Sequence, residues 1–461
     1  MNHFTALAYE HPDQLIFGKA RKPITCRNGM VIGGGLVYPE INFTLPPMNI
    51  DETTFGEVKN QYRQMITGIC QRAVTLEAPG IVVEIELLPP MTINPVWGTD
   101  IFKIVKEVLV DYEAKNGLKS LIRITPNDTR EMKRPPVQRS GEYWNNMLFT
   151  FEECAKEGAD FLAIESTGGK EICDDALIGA DIATVVFALG VPGTRDMEFL
   201  WQNIVAIANK HHCFAAGDTA CGFGNTAMVL AEQGFIPKVF AAAVRVATVS
   251  RSLVAYEAGA VGPSKDCAYE GPYIKAIAGV PIAMEGKSSA CAHLSPLGNI
   301  AGAVCDLWSN ESVQNIKLLG GMAPTVSMEQ LIYDVRLMNQ AAKNGPAAAL
   351  QLRDWMVESD SGFDPQAYVL RPDFVLEVSR EIIRETDPYR RTRNSVAKAL
   401  ELLQKAVKEG RLRLNKREEP YLERLREQVA GLPDTAEKLW EEIRFQIDTA
   451  KFLPGEYGLT A

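Results

Sequence analysis

The stretch that decides the fold is the apolar run Phe161-Leu162-Ala163-Ile164, which Glu165 follows directly. It belongs to a series of short apolar runs that alternate with longer helix-like stretches up to about residue 310. Continuous apolar strands that alternate with helices are typical of a parallel sheet covered on both faces. The eight runs are residues 30–35, 81–88, 121–125, 161–166, 184–190, 213–218, 253–259 and 281–285.

Eight strand–helix units predict an α/β fold of the (β/α)8 TIM-barrel type. The helix-like stretches between the runs are residues 55–75, 101–115, 142–156, 197–210 and 239–250. The alternative is a doubly wound open sheet, which normally has a Gly-rich turn that opens a helix after its first strand. Gly33-Gly34-Gly35 follows a predicted strand, but residues 36–47 read as a loop, so that signature is missing.

The last part of the chain has a different character. It is richer in charged residues than the rest and contains no strand-like run. Val396, Leu400, Leu403 and Val407 are spaced by four, three and four residues, which places them on one stripe of a helix. We therefore expect a TIM-barrel catalytic domain at residues 1–325 and a C-terminal helical subdomain at residues 326–461.

Composition excludes several classes of protein. The 461 residues are 46% hydrophobic and carry a net charge of −10, which argues against nucleic-acid binding because such proteins need a basic face. No apolar stretch is long enough for a membrane span, and residues 1–11 do not have the pattern of a secretory signal. Nine scattered cysteines, an odd number, favour a reducing environment. We expect a soluble, cytoplasmic protein.

Three metal-binding residue types follow three of the apolar runs. Glu165 ends one run, Cys221 lies just past the run that starts at Cys213, and Cys267 lies ten residues past residues 253–257. If the runs are parallel strands of one barrel, the three side chains lie on the same rim. Two thiolates and one carboxylate form an open catalytic zinc site rather than a closed structural one.

Each of these residues also has a simpler interpretation. Glu165 could pair with Lys170, and Cys221 could be a small buried apolar residue, as free cysteines commonly are. Cys267 lies in a polar loop, where packing is a weaker explanation. Cys291 and His293 form a Cys-x-His pair that competes as a metal site.

Several longer segments resemble the methanol:corrinoid methyltransferase family, the subunit that activates the substrate in methanol-dependent methyl transfer. The resemblance covers nearly the whole chain. It rests on residues 164–171, Gly217-Asp218-Thr219-Ala220-Cys221, residues 252–263, Lys265-Asp266-Cys267, Met284-Glu285-Gly286-Lys287, Pro39-Glu40-Ile41-Asn42 and residues 364–368. Members of that family hold zinc through one glutamate and two cysteines on a TIM barrel. By motif these ligands correspond to Glu165, Cys221 and Cys267, with one zinc ion per chain.

The resemblance also implies a reaction. Zinc would polarise the oxygen of methanol, and Co(I) of a corrinoid carried on a separate protein would accept the methyl group. Asp218 and Glu257 are the predicted acids that protonate the departing oxygen, or groups that orient a ligand. The chain contains no Asp-x-His-x-x-Gly motif, which supplies the lower cobalt ligand in corrinoid carriers, so the corrinoid must come from the partner. The family further suggests a homodimer within a larger complex, in methanogenic or acetogenic C1 metabolism.

Two other functions remain open from the sequence. The same barrel and zinc site could serve another methyl donor, such as a methoxyaromatic compound or a methylamine. The chain could also be a non-catalytic subunit of a corrinoid complex with a structural zinc ion. That interpretation needs a fourth protein ligand, for which His293 is the nearby residue.

Overall fold

Parallel strands form the centre of the fold in the computed structural model, which describes residues 1–45, 48–265, 267–313, 317–319 and 321–460. The strands are β1 (Lys19–Thr25), β2 (Val31–Gly34), β3 (Tyr38–Thr44), β4 (Ile81–Glu86), β5 (Ser120–Thr125), β6 (Phe161–Ile164), β7 (Phe214–Asp218), β8 (Ala283–Glu285), β9 (Leu307–Val313), β10 (Lys317–Leu318) and β11 (Gly321–Met322). The central sheet has the order β7-β6-β5-β4-β3-β9-β8, and all its neighbours pair in parallel.

Residues 261–265 close this sheet into a barrel between β7 and β8. Val261 N donates to Ala215 O of β7 at 2.9 Å, and Ala283 N of β8 donates to Ser264 O at 3.1 Å. Ser264 also forms a parallel bridge with Ile282. With this short segment the barrel has eight strand positions, so the predicted (β/α)8 fold class is confirmed.

Helices surround the barrel and continue to the end of the chain. They are α1 (Phe55–Thr75), α2 (Pro89–Ile93), α3 (Pro95–Asn116), α4 (Glu142–Lys156), α5 (Lys170–Ile178), α6 (Ile182–Ala188), α7 (Thr194–His211), α8 (Cys221–Glu232), α9 (Lys238–Glu257), α10 (Gly271–Ala278), α11 (Lys287–Ala292), α12 (Ala323–Lys343), α13 (Pro346–Ser361), α14 (Pro365–Tyr368), α15 (Pro372–Ile382), α16 (Pro388–Lys408), α17 (Glu419–Ala430) and α18 (Ala436–Ile443). By length and composition α9 alone among the described helices would suffice to cross a membrane, yet it is completely buried inside the protein.

Five of the eight predicted runs are barrel strands. Residues 81–88, 121–125, 161–166, 213–218 and 281–285 contain β4 to β8 in order. The run at residues 30–35 is also a strand, β2, but it pairs antiparallel with β1 in a separate hairpin. The sequence therefore identified most of the barrel while assigning its first strand to the wrong place.

Two predicted strands are wrong because both segments are helical. Residues 184–190 lie largely in α6, where the Asp181 side chain accepts hydrogen bonds from Ala183 N and Thr184 N and so caps the helix. Residues 253–259 contain the last turns of α9, whose residues Val239–Glu257 are all buried. A helix buried on every side has no polar face, so its sequence reads like a buried strand.

The prediction missed two strands that contain buried polar side chains. β3 lies within residues 36–47, which we interpreted as a loop. Its polar Glu40 and Asn42 alternate with the apolar Ile41 and Phe43, as expected for a strand with two different faces, and all four side chains are buried. β9 contains Ser309 and Asn310 and pairs with β3 and β8. Polar residues interrupt the apolar runs on which the prediction relied.

The hairpin of β1 and β2 covers the amino end of the barrel. Its residues Ile24, Met30 and Ile32 pack in one apolar cluster with Val82 and Leu121 from the beginnings of β4 and β5. The three-glycine run at residues 33–35 therefore belongs to this hairpin rather than to a phosphate-binding turn.

The C-terminal helices pack directly on the barrel. The helix α12 lies against β3 and β9, and α16 lies against α9. The proposed division into residues 1–325 and 326–461 stays a prediction, although α12 begins close to that boundary.

Candidate metal site at the carboxyl end of the barrel

The three predicted metal ligands lie together in the structure. Glu165 directly follows β6, Cys221 is the first residue of α8 after β7, and Cys267 follows the closing segment 261–265. Their ligand atoms all lie within 4.8 Å of one another, and Cys267 Sγ donates to Glu165 Oε1 at 3.3 Å. Among the residues that the structure describes, this is the only such group of three His, Cys, Asp or Glu side chains.

Each thiol has a polar neighbour that the sequence prediction did not name. Asn225 Nδ2 donates to Cys221 Sγ at 3.3 Å, from one turn further along α8. Thr219 Oγ1 lies 3.8 Å from Cys267 Sγ. The helical spacing of four residues between Cys221 and Asn225 is the signal that could have identified Asn225.

The environment keeps both thiols protonated in the absence of a cation. The hydrogen bond with Cys267 lowers the pKa of Cys221, but burial and the Glu165 charge raise that pKa to about 12. Burial, together with the neighbouring Cys221, raises the pKa of the Cys267 thiol well above its ordinary value. A metal ion bound here would displace these protons, because thiolates rather than thiols are the ligands.

A buried lysine lies beside the three ligands. Lys265 Nζ lies 3.0 Å from each of three carboxylate oxygens, those of Glu84, Glu86 and Glu165, and its side chain is only 4% exposed. Burial alone would lower the pKa of Lys265, but the three carboxylates hold it well above its ordinary value. Lys265 therefore neutralises part of the negative charge at the site and restrains the Glu165 carboxylate.

The carboxylates around Lys265 have further partners. Asn42 Nδ2 donates to Glu86 Oε2 at 2.8 Å. Burial raises the pKa of Glu86, but Lys265 and Asn42 outweigh that effect and lower it below its ordinary value. Thr125 Oγ1 donates to Glu84 Oε1 at 2.6 Å. These carboxylates thus meet the requirement that buried charges be paired and hydrogen-bonded.

A second buried ion pair involves Arg123, which lies opposite Glu84 in the register of β4 and β5. Arg123 Nε donates to Glu40 Oε1 at 2.7 Å, and Arg123 Nη1 donates to the Pro263 carbonyl at 2.9 Å. The two side chains are at most 1% exposed. Because Pro263 belongs to the closing segment, Arg123 connects β5 to the strand position on the opposite part of the barrel.

Asp218, the first predicted acid, hydrogen-bonds the residue that follows Glu165 and is not one of the three clustered side chains. Its carboxylate accepts from Ser166 Oγ at 2.6 Å, Ser166 N at 3.2 Å and Trp201 Nε1 at 3.0 Å. Arg251 Nη1 lies 3.6 Å away. Because Ser166 is the next residue after Glu165, these hydrogen bonds restrain the backbone that carries Glu165, and the role of Asp218 as an acid or as an orienting group stays a prediction.

Glu257, the second predicted acid, is not brought to this group. It ends α9, and residue 261, four positions further, bonds to the beginning of β7, so Glu257 lies at the amino end of the barrel. Its carboxylate is paired with Arg391 at 2.8 Å and 3.1 Å and with His3 at 3.1 Å. The expectation that Glu257 lies near the metal ligands is corrected by this placement. Its misassignment followed from interpreting the end of α9 as a strand.

The competing pair Cys291 and His293 does not join the group in the described part of the chain. Both residues lie at the end of α11, where Cys291 is exposed. His293 Nδ1 lies 3.9 Å from Glu285 Oε2. Among the described residues, the candidate metal group therefore consists of Glu165, Cys221 and Cys267.

The fold and this group define a class of protein, namely a TIM barrel with a candidate metal site of one glutamate and two cysteines at its carboxyl end. A family model described as the methanol-cobalamin methyltransferase B subunit, MtaB, matches residues 1–458. The chain belongs to that family.

Two relatives cover the chain almost completely. A methanol--corrinoid protein co-methyltransferase from Methanosarcina barkeri (strain Fusaro / DSM 804) is 36% identical, with 99% of each chain aligned. The crystal structure of the methanol:cobalamin methyltransferase complex MtaBC from Methanosarcina barkeri contains a chain that is 35% identical and superimposes with a TM-score of 0.94. That match covers 100% of both chains.

Proposed function

We propose that this chain is a zinc-dependent enzyme that activates methanol and transfers its methyl group to Co(I) of a corrinoid carried on a partner protein. One observation carries the proposal. In a chain of the methanol-cobalamin methyltransferase B subunit family, Glu165, Cys221 and Cys267 converge within 4.8 Å at the end of the barrel where such enzymes act.

The donor set fits zinc. Two sulfur atoms and one carboxylate oxygen are ligands that zinc accepts, whereas magnesium and calcium bind oxygen ligands. Three protein ligands leave one position open, which is typical of catalytic zinc sites. When bound, zinc would act as a Lewis acid toward the oxygen of methanol, whose hydroxide is otherwise a very poor leaving group.

The surrounding side chains prepare the site for this chemistry. Lys265 restrains one oxygen of Glu165 and offsets the negative charge of Glu84 and Glu86. Asn225 hydrogen-bonds the Cys221 sulfur, which draws electron density away from it. Less electron donation from the ligands keeps a bound cation acidic enough to polarise a small alcohol.

The acceptor comes from another protein in this proposal. The overall reaction combines methanol, a proton and Co(I) to give a methylated corrinoid and water. The chain has no Asp-x-His-x-x-Gly motif for holding a corrinoid. Its relative of known structure was crystallised in a complex named MtaBC, which supports a partnership of this kind. A homodimer within the complex and a cytoplasmic location are further proposals, the latter supported by nine free cysteines.

The test combines zinc analysis with a methyl-transfer assay. Purified protein is mixed with methanol and reduced cobalamin, and methylation is followed by absorbance. We expect about one zinc per chain and methanol-dependent methylation. Zinc near one per chain with turnover of a methoxyaromatic or methylamine donor, but not of methanol, would contradict the substrate assignment.

Variants locate the metal within the protein. Cys221→Ser should lower zinc content and methyl transfer together, because a hydroxyl is a poor zinc ligand. Cys291→Ser and His293→Ala are matched controls that should keep both properties. Loss of zinc in both His293→Ala and Cys221→Ser would favour a closed, structural zinc site, and loss in His293→Ala with retention in Cys221→Ser would contradict the ligand assignment.

A further inference from the structure

The two thiols of the metal site stand on two different chain segments that lie side by side. Cys221 follows β7, and Cys267 follows the closing segment 261–265. The distance between the thiols therefore depends on how firmly these segments are joined. A metal site works only when its ligands are held close to the required geometry by surrounding contacts.

Thr219 joins the first segment to the second. Its side chain is completely buried, and Oγ1 accepts hydrogen bonds from Cys267 N at 3.4 Å and from Ala268 N at 3.2 Å. The same oxygen lies 3.8 Å from Cys267 Sγ. One hydroxyl on the Cys221 segment thus contacts both the backbone and the sulfur of the Cys267 segment.

Glu270 joins the second segment back to the first. Its buried carboxylate oxygen Oε1 accepts from Ala220 N at 2.8 Å and from Ser252 Oγ of α9 at 2.6 Å. Ala220 is the N-cap of α8 and immediately precedes Cys221. Because alanine has no capping group of its own, Glu270 supplies a carboxylate at the helix terminus from which Cys221 projects.

We propose that Thr219 and Glu270 are positioning residues that set the separation of the Cys221 and Cys267 thiols for metal binding. The proposal rests on the zinc site of the proposed function. The two residues form reciprocal connections, and neither contributes a metal ligand. A purely structural role would reduce folding stability and leave metal affinity and ligand geometry unchanged.

The first experiment compares Thr219→Val with Thr219→Ser. Valine keeps the shape of threonine and removes the hydroxyl, whereas serine keeps the hydroxyl. Zinc affinity is measured by competition with a chromophoric chelator, and geometry by the absorption spectrum of the Co(II)-substituted protein. We expect zinc affinity to fall about 10- to 100-fold in Thr219→Val, with altered Co(II) bands, and to stay near wild type in Thr219→Ser.

The second experiment compares Glu270→Ala with Glu270→Gln. Glutamine retains a side-chain oxygen that can accept from Ala220 N and Ser252 Oγ, so we expect it to restore most of the affinity that alanine loses. Tyr273→Phe is the matched control, because Tyr273 lies in α10, three residues further on, and donates at 2.5 Å to Val369 O, away from the thiols. That variant should bind zinc normally.

The outcomes separate this proposal from the proposed function. A wild-type chain that binds no zinc overturns both. Normal zinc binding by the wild type, with unchanged affinity and Co(II) spectra in Thr219→Val and Glu270→Ala, overturns only the positioning role. If Glu270→Ala fails to fold, the two Thr219 variants decide the question, and equal affinities for valine and serine refute the proposal.

Discussion

The two ends of the barrel interior are built from the same strands, but the side chains are apolar at the amino end and charged at the carboxyl end. At the amino end Val82, Leu121 and Phe161 pack against the β1–β2 hairpin in an apolar cluster. Two to four residues further along the same strands, Glu84, Arg123 and Glu165 face the site. Inward side chains alternate along a strand, so a short strand passes from a hydrophobic layer to a charged layer.

The two ends of the barrel therefore contribute differently to folding stability and to the chemistry of the site. The apolar end contributes hydrophobic burial, which is non-directional and tolerates related side chains. The carboxyl end holds buried charges that are costly unless every one is paired. We therefore expect substitutions at the amino end to change folding stability alone, and substitutions at the carboxyl end to change metal binding and activity, together with stability where a buried charge loses its partner.

The largest effect is expected at a metal ligand. Cys267→Ala removes one of the two proposed sulfur ligands. Zinc affinity and methyl transfer should both fall by more than about 100-fold, which is the upper end of the range for losing a residue that only hydrogen-bonds a metal ligand. Zinc is measured by metal analysis after dialysis, and folding by circular dichroism. A Cys267→Ala protein that retains stoichiometric zinc would contradict the ligand assignment.

Lys265 tests whether the charged end depends on its buried cation. Lys265→Met leaves three neighbouring carboxylates without their ammonium partner, so the free energy of unfolding should fall by about 3–5 kcal/mol. The measurement is urea unfolding in the presence of a chelator. Zinc affinity should change as well, because Lys265 contacts Glu165.

Lys170→Met is the matched control for that variant. Lys170 pairs with Asp174, but its side chain is 25% exposed, so its loss should cost at most about 1 kcal/mol. Equal losses of unfolding free energy in the two variants would show that the carboxylates near Lys265 rearrange or take up protons. The expected difference between a buried and an exposed ion pair would then be refuted.

Ile32 tests the apolar end. Ile32→Ala leaves a cavity under the hairpin, so the free energy of unfolding should fall by about 2–5 kcal/mol. Zinc affinity, measured in the same samples at a temperature where the variant is folded, should remain that of the wild type. A parallel loss of zinc affinity would show that the two ends are mechanically coupled.

The sequence predicted the barrel through those strands whose residues are mainly apolar. It failed for β3, because Glu40 and Asn42 interrupt the apolar pattern and are stabilised by partners from β4 and β5 that only the fold supplies. It also failed at the end of α9, since complete burial removes the polar face that identifies a helix. Both errors arise where tertiary contacts override local patterns.

The site could be predicted only in part for a related reason. Glu165 and Cys221 were found because each follows a predicted strand that reaches the carboxyl end, whereas the strand predicted before Cys267 is the end of α9, so that residue was correctly placed only by the family resemblance. Lys265 was not assigned a role, although it stands two residues before Cys267 in an extended segment. Its three carboxylate partners come from β4 and from the residue after β6, so their meeting point depends on barrel closure.

The last prediction concerns the pH dependence of stability at the rim of the charged end. Burial raises the pKa of Glu171 to about 7, although Tyr457 donates a hydrogen bond to it at 2.6 Å. The folded protein therefore holds a proton that the unfolded chain releases near 4.5. The stability associated with this proton is complete below pH 4.5 and is lost as pH rises through 7.

Glu171→Gln isolates this contribution because glutamine stays neutral and can still accept from Tyr457. The difference in unfolding free energy, variant minus wild type, should increase from pH 5 to pH 8 by up to about 3 kcal/mol. Urea unfolding at several pH values measures it, with Ile32→Ala as the control whose difference from wild type should not vary with pH. A difference for Glu171→Gln that stays constant across this range would mean that Glu171 ionises normally in the folded protein, and the carboxyl end would then lack this pH dependence.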